Sequence, residues 1–206
     1  MNVKKLHYIS GLTISLFIGI HLFNHIYSIF GIDKHIELMI ILRQFYRNIV
    51  VETILILAVF VQIISGIRLF LKSRKNVVSS FDKLQLYSGL YLAVFLLIHL
   101  ATVVVGRTIL NLDTNFYFGA AGLNHFPINL FFVPYYALAI ISFFAHFAAI
   151  HNKKIKQNVF GLTPVWQSKV ILATGVFLTI LIFYGQTNRF RGIEMPKEYK
   201  VLIGGK

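Results

Sequence analysis

From Leu6 to Ile32 the chain carries no charged side chain, and this single run restricts the fold more than any motif does. A bilayer core of about 30 Å takes roughly 20 helical residues, and backbone polar groups in lipid must bond within their own segment. Such a run is therefore expected to be a membrane-spanning α-helix. Comparable runs follow at about 48–71, 84–106, 128–152 and 170–188, the second interrupted only near its ends by Glu52 and Arg68. The fourth lies inside the uncharged stretch from Thr114 to Asn152, where Pro127 and Pro134 are expected to set the helix start. With 57% hydrophobic residues, 13% charged residues and a mean hydropathy of +0.73, the chain falls outside the range of soluble domains. The expected fold is an all-α integral membrane protein with five transmembrane helices. Span I is too long for a secretory leader and lacks a small-residue cleavage site, so it is expected to remain as a helix.

The formal charge of +13 follows membrane topology rather than a nucleic-acid footprint. Placing the N-terminus inside puts Lys4, Lys5, Arg68, Lys72, Arg74, Lys75, Lys83, Lys153, Lys154, Lys156 and Lys169 on the inner side. The outer connection between spans III and IV then holds only Arg107, as the positive-inside rule expects. Residues 33–47 mix apolar and charged side chains at helical spacing and read as an amphipathic segment on the outer surface. Residues 189–206 form a C-terminal tail. The absence of cysteine excludes disulfides, thiolate metal sites and cysteine-held iron–sulfur clusters from this chain. Its abundance of Lys, Ile, Asn and Phe suggests an AT-rich bacterial genome, hence a multi-pass protein of the bacterial cytoplasmic membrane.

Two spans are copies of one another. "SGLTISLFIGIHL" (Ser10 to Leu22) and "SGLYLAVFLLIHL" (Ser88 to Leu100) agree at seven of thirteen positions, including Ser10/Ser88, Gly11/Gly89, Phe17/Phe95 and His21/His99. Both run from inside to outside, so the repeat relates two helical hairpins of like orientation. Eleven residues make about three turns, which places each Ser beneath its His on one stripe, with the Phe between. His21 and His99 are thus level in the outer half of the bilayer, while Gln62 and His146 lie in the inner half. Ionisable side chains at such depth are costly and mark functional candidates. Two imidazoles at matching depth suit bis-histidine ligation of haem iron, and an interhelical hydrogen bond or a proton relay suits them as well. The small Ser-Gly pairs leave room for a flat group, and they equally serve close helix packing.

The segment "HLFNHIYSIFGIDKHIELMIILRQFYRNIVVETILILAVFVQIISGIRLF" (His21 to Phe70) resembles the single-chain, five-helix cytochrome b membrane anchor of succinate dehydrogenases and fumarate reductases. The similar features are the His-Leu-Phe-Asn of span I, an amphipathic outer segment leading through a Glu into span II, and Gly66, four residues after a ligand position. "SGLYLAVFLLIHL" resembles that family's third helix, and "AHFAAIHNKKIKQNVFGLTPVWQSK" its fourth helix with a Gly-x-Thr-Pro loop. The resemblance implies a four-helix haem-binding bundle of two repeat-related hairpins plus a fifth helix. It implies one or two haems b, with the outer pair of ligands at His21 and His99 and the inner pair at Gln62 and His146. Gln62 departs from the family pattern, since a carboxamide is a poor iron ligand beside imidazole, which leaves the second haem absent, five-coordinate or ligated differently, with His146 a hydrogen-bonded core residue if that haem is lost.

The resemblance also implies a quinone or menaquinone, and flavoprotein and iron–sulfur partner subunits docked on the basic inner side. The partners of the chain are then those subunits, the quinone and the lipid bilayer, with no nucleic acid. Ser10 and Ser88 are expected to line the haem sites and His25 to meet a propionate or quinone. Arg68 is expected to contact quinone or propionate on the inner side, unless it snorkels to lipid phosphate. Glu52, the one acidic residue within a span, is the candidate for quinone proton exchange, with pairing to Arg47 or Arg43 as the plainer expectation. His7, His35, His125 and His151 are expected at the interfaces. Two other functions fit the same bundle: a free-standing membrane cytochrome b or quinone-binding protein, and a haem-free polytopic protein using its histidines for proton transfer or packing.

Overall fold

A computed structural model describes residues 2–205, and within them the chain is helical throughout, with no β-strand. Five helices are long and apolar enough to cross a membrane: α1 (Val3–Tyr27, continued by a 3-10 turn, Ser28–Phe30), α3 (Ile49–Ser73), α4 (Ser80–Thr108), α6 (Asn129–Lys154) and α7 (Pro164–Gln186). Between α1 and α3 lies α2 (Ile32–Tyr46), and between α4 and α6 lies α5 (Phe116–Asn124). Most helix starts are written locally by polar caps. Asn2, Asn48, Ser79, Asn115 and Thr163 each accept a hydrogen bond from a backbone N–H in the first turn of the helix that follows. Pro164 occupies the first position of α7, where its missing N–H costs nothing. Gly31, at φ 114°, makes the break that lets α1 turn into α2.

The long helices form a ring. α1 packs on α3, α3 on α4, α4 on α6, α6 on α7, and α7 returns to α1. The two hairpins, α1–α3 and α4–α6, meet through α3 and α4, and α1 and α4 are not neighbours in this ring. Buried positions facing the interior are mostly small or polar: Ser10, Ala58, Ser65, Ser88, Ala93 and Ser142. Close-packed cores are normally filled by Leu, Ile and Phe, so this ring closes around its polar side chains rather than around a solid apolar centre.

One end of the ring is capped and the other is open. α2, α5 and the C-terminal segment, which ends in a 3-10 stretch at Lys197–Ile203, all lie at the end where α1, α4 and α7 finish, and α5 contacts both other parts. Ala121, Met195 and Tyr199 form a buried apolar cluster there, and the Tyr199 hydroxyl donates to the Asp113 carbonyl at 2.9 Å. At the opposite end only two short connections join helices, α3 to α4 and α6 to α7.

Three details correct the sequence expectations. Pro134 does not start the fourth span; α6 begins at Asn129, with its first N–H groups bonded to the His125, Pro127 and Ile128 carbonyls, and Pro134 lies inside it. The uncharged connection before it folds into α5, against which the tail packs through Met195 and Tyr199. The fifth helix starts at Pro164, earlier than residue 170, because Trp166 and Lys169 belong to its first turns, with Lys169 Nζ 4.2 Å over the Trp166 ring.

Candidate cofactor site

The repeat places His21 on α1 and His99 on α4 at the same level, with ring centres 6.2 Å apart and planes inclined by 67°. Each is backed by the Phe one turn earlier: Phe17 stacks on His21 at 5.7 Å and 20°, Phe95 on His99 at 5.2 Å and 15°. The aromatic wall extends through Tyr46, edge-on to Phe17, and through Tyr135 against Phe95. His99 takes part in none of the hydrogen bonds among the described residues. His99 is half-buried, so its ring nitrogens stay accessible to a partner from outside the chain.

His21 is better tethered, and the chemistry of its partners fixes its tautomer. Gln186 Nε2 lies 3.1 Å from His25 Nδ1; a carboxamide nitrogen only donates, so His25 carries its proton on Nε2. That proton is donated over 3.1 Å to His21 Nε2, which therefore keeps its lone pair. His21 is held in the form that binds a metal, with the His25 N–H sharing the lone pair. His25, expected to meet a propionate or quinone or to face the headgroups, has its ring turned to that of His21, 4.5 Å away. His35 was expected at the surface and is 2% exposed, packed edge-on to Phe116, with its Nε2 3.3 Å from Asn24 Nδ2. His35 Nδ1 and Asn24 Oδ1 are buried without partners.

Towards the open end a second polar level is built twice from the same plan. Ser10 Oγ donates to Gln62 Oε1 at 2.7 Å, and Gln62 lies against Gly11, where an added Cβ would come within 3.3 Å of Nε2. In the other hairpin His146 lies against Gly89, where a Cβ would come within 3.0 Å of Cε1, and Ser88 Oγ is 3.4 Å from His146 Nδ1. Gln62 and His146 thus hold equivalent places in the two hairpins. His146 Nδ1 donates to the Gln85 carbonyl at 3.0 Å, which leaves Nε2 unprotonated. The Gln62 amide donates over 3.3 Å to His7 Nε2, and His7 Nδ1 donates over 2.9 Å to Ser65 Oγ. His7 was expected at the interface, but it is a structural member of this level.

The remaining candidates lie apart. Glu52 pairs with Arg107 and so joins α3 to α4; its expected partners Arg43 and Arg47 turn to Asp113 and Thr114 instead, at 2.8 Å and 2.7 Å. Arg68 is exposed on α3. His151 bonds Gln167 Oε1 at 2.8 Å, and His125 is exposed at the end of α5. Sequence reasoning passed over Gln186, Asn24 and His7 as partners; uncharged polar residues inside apolar helices were the available signal.

Among the described residues no group of three or more His, Asp or Glu side chains could hold a metal ion. His21 and His99 supply two nitrogen donors and His146 one, so a metal bound here would need its other donors from a prosthetic group. The donor set and separation suit haem iron. Two imidazoles sharing a metal at bond lengths of about 2 Å have ring centres about 6 Å apart. Comparison with protein-family models, curated proteins and solved structures finds no match to this chain.

Proposed function

We propose that this multi-pass membrane protein is the cytochrome b anchor of a succinate:quinone or quinol:fumarate oxidoreductase, carrying haem b between His21 and His99. The observation that carries the reading is the His21–His99 pair: repeat-related helices, ring centres 6.2 Å apart, and one ring with no hydrogen-bond partner. Haem supplies one-electron transfer when bound. The protein's own part is to hold it. His21 and His99 would hold the iron, Phe17 and Phe95 fix the planes of the two rings, and the His25 contact on His21 Nε2 would be given up.

The quinone side of the proposal rests on Glu52. Its carboxylate, in the first turn of α3, sits beside Arg107 near the capped end, where it can exchange a proton with a quinone. The flavin and iron–sulfur clusters belong to partner subunits, because this chain has no cysteine to hold a cluster. Those subunits dock on the open end, where Lys153 and Lys154 end α6 and the connections carry Arg74, Lys75 and Lys156, and this end faces the bacterial cytoplasm with the N-terminus inside.

The Gln186–His25–His21 relay favours a second reading, a haem-free membrane protein that passes protons through its histidines. A visible spectrum separates the two. The proposal expects a reducible low-spin b-type spectrum from the detergent-purified chain, and loss of the same component in His21→Ala and in His99→Ala. A colourless, folded wild-type protein would sink it.

A further inference from the structure

We propose that the connection between α6 and α7 is a membrane-surface anchor, a tight turn that sets Phe160 into the lipid interface and gathers anionic phospholipid headgroups through Lys154, Lys156 and Lys169. The inference goes beyond the cytochrome reading and needs no haem.

Val159 and Leu162 exchange both backbone hydrogen bonds, at 3.2 Å and 3.0 Å, around a two-residue tip, Phe160 and Gly161. Both tip residues take positive φ, 50° and 75°, as the type I′ turn of a tight hairpin requires. Asn-Gly and Gly-Gly are the usual occupants of such a tip, and a bulky side chain at positive φ is strained. Phe160 is also 100% exposed, so no contact among the described residues offsets that strain. A strained backbone kept beneath a bare aromatic ring points to a contact made outside the chain.

The surroundings identify that contact. α6 and α7 are both long and apolar enough to span, so their connection lies at a membrane surface. The turn is tied down there. Gln167, in the first turn of α7, donates from Nε2 to the Gln157 and Leu162 carbonyls at 3.0 Å and 2.8 Å, while its Oε1 meets His151 of α6 at 2.8 Å. Phe160 is two residues from Leu162, within about 7 Å at full extension, so the tip stays close to the level where α7 enters the bilayer. Trp166 shares that level, 55% exposed, with Lys169 Nζ 4.2 Å over its ring, and a tryptophan beside a lysine is typical of a membrane interface. From Ile150 to Val170 the chain has four lysines and no acidic residue. Asp82 takes Lys153 at 2.7 Å, and Lys154, Lys156 and Lys169 are exposed. Cations flanking an apolar tip suit a negatively charged lipid surface, to which each adds attraction.

The test uses the full chain in vesicles of phosphatidylcholine, with and without phosphatidylglycerol. Trp166 is the only tryptophan, so Phe160→Trp combined with Trp166→Phe leaves one fluorophore, at the tip. Its emission is expected to be quenched by lipids brominated near the headgroup end of their chains and shielded from acrylamide in the water. Phosphatidylglycerol should strengthen the quenching, and either added salt or Lys156→Gln with Lys169→Gln should remove that increment. Phe160→Asn supplies the Asn-Gly pair that the turn prefers, so it should unfold no earlier than wild type in detergent. In vesicles with phosphatidylglycerol, trypsin should nevertheless cut after Lys156 several-fold faster in this variant. A tip open to acrylamide and untouched by brominated lipid would overturn the anchor and leave the turn facing water or a protein partner. Quenching indifferent to phosphatidylglycerol, or equal cleavage of wild type and Phe160→Asn, would overturn it too. A colourless protein would sink the cytochrome reading and leave this one standing.

Discussion

Gly89 and Gly19 show how one residue type serves opposite ends. Gly89 is covered by the His146 ring, whereas Gly19 has nothing within 4 Å of the place its Cβ would take. Gly89→Ala should displace His146, breaking its bonds to Gln85 and Ser88, and should cost about 1–3 kcal/mol through overpacking. Gly19→Ala should be neutral to slightly stabilising, since Ala is the better helix former. Thermal unfolding of the two variants in detergent checks both, and equal shifts would show that the His146–Gly89 contact carries no strain. At this scale the sequence was informative about the repeat: identical Ser, Gly, Phe and His positions put His21 and His99 on one level. It was silent about which polar side chains bond each other. That His7 braces Gln62, or that Gln186 reaches His25, depends on helix rotation and separation, which spacing along one helix does not contain.

The surface helix α2 has a titratable anchor. Burial holds His35 down to about 4, and the charges of His21 and Arg43 act in the same direction. The groups facing it are Asn24 and His25 of α1, Phe116 of α5 and Arg43 of its own helix. The released ring titrates near 6.5, so between that value and about 4 the undocked state binds a proton that the docked state does not. Docking of α2 is therefore complete above pH 6.5 and weakens as pH falls towards 4, by about 3 kcal/mol across the window. Amide exchange along residues 32–46, corrected for intrinsic rate, should accelerate over that range, and His35→Gln should flatten the dependence. Exchange that ignores pH in the wild type would contradict it. The charge pattern made α2 legible, because alternation at helical spacing marks an interfacial helix. α5 was not legible, since "FYFGAAGLN" is apolar and Gly-bearing on all sides and is stabilised by its neighbours rather than by its own pattern. Pro134 misled for a similar reason: proline disfavours a helix interior, yet in a long apolar helix packed on both sides the loss of one backbone bond is tolerated.

The five-helix ring depends on α7, the member outside the repeat, which fills the gap between α6 and α1. Its contacts are made by glycines. A Cβ on Gly175 would collide with the Phe144 side chain, and one on Gly185 would collide with Ser28 Oγ and come within 2.8 Å of Ile29 N. Gly185 meets backbone that cannot yield, so Gly185→Ala should open the α1–α7 seam and lower stability by about 1–3 kcal/mol or more. Limited proteolysis of the α6–α7 connection and of the segment after Gln186 should reveal it, and unchanged digestion would show that the seam does not close the ring. The count and order of the spans were readable from uncharged runs alone, because lipid leaves the backbone no other choice. The ring closure was not, since small residues at a helix interface carry no directional signal. Five is an odd number of crossings. Asn2 and the segment after Gln186 consequently lie at opposite ends of the ring, so the cap stitched across α5 is built from one end of the fold alone.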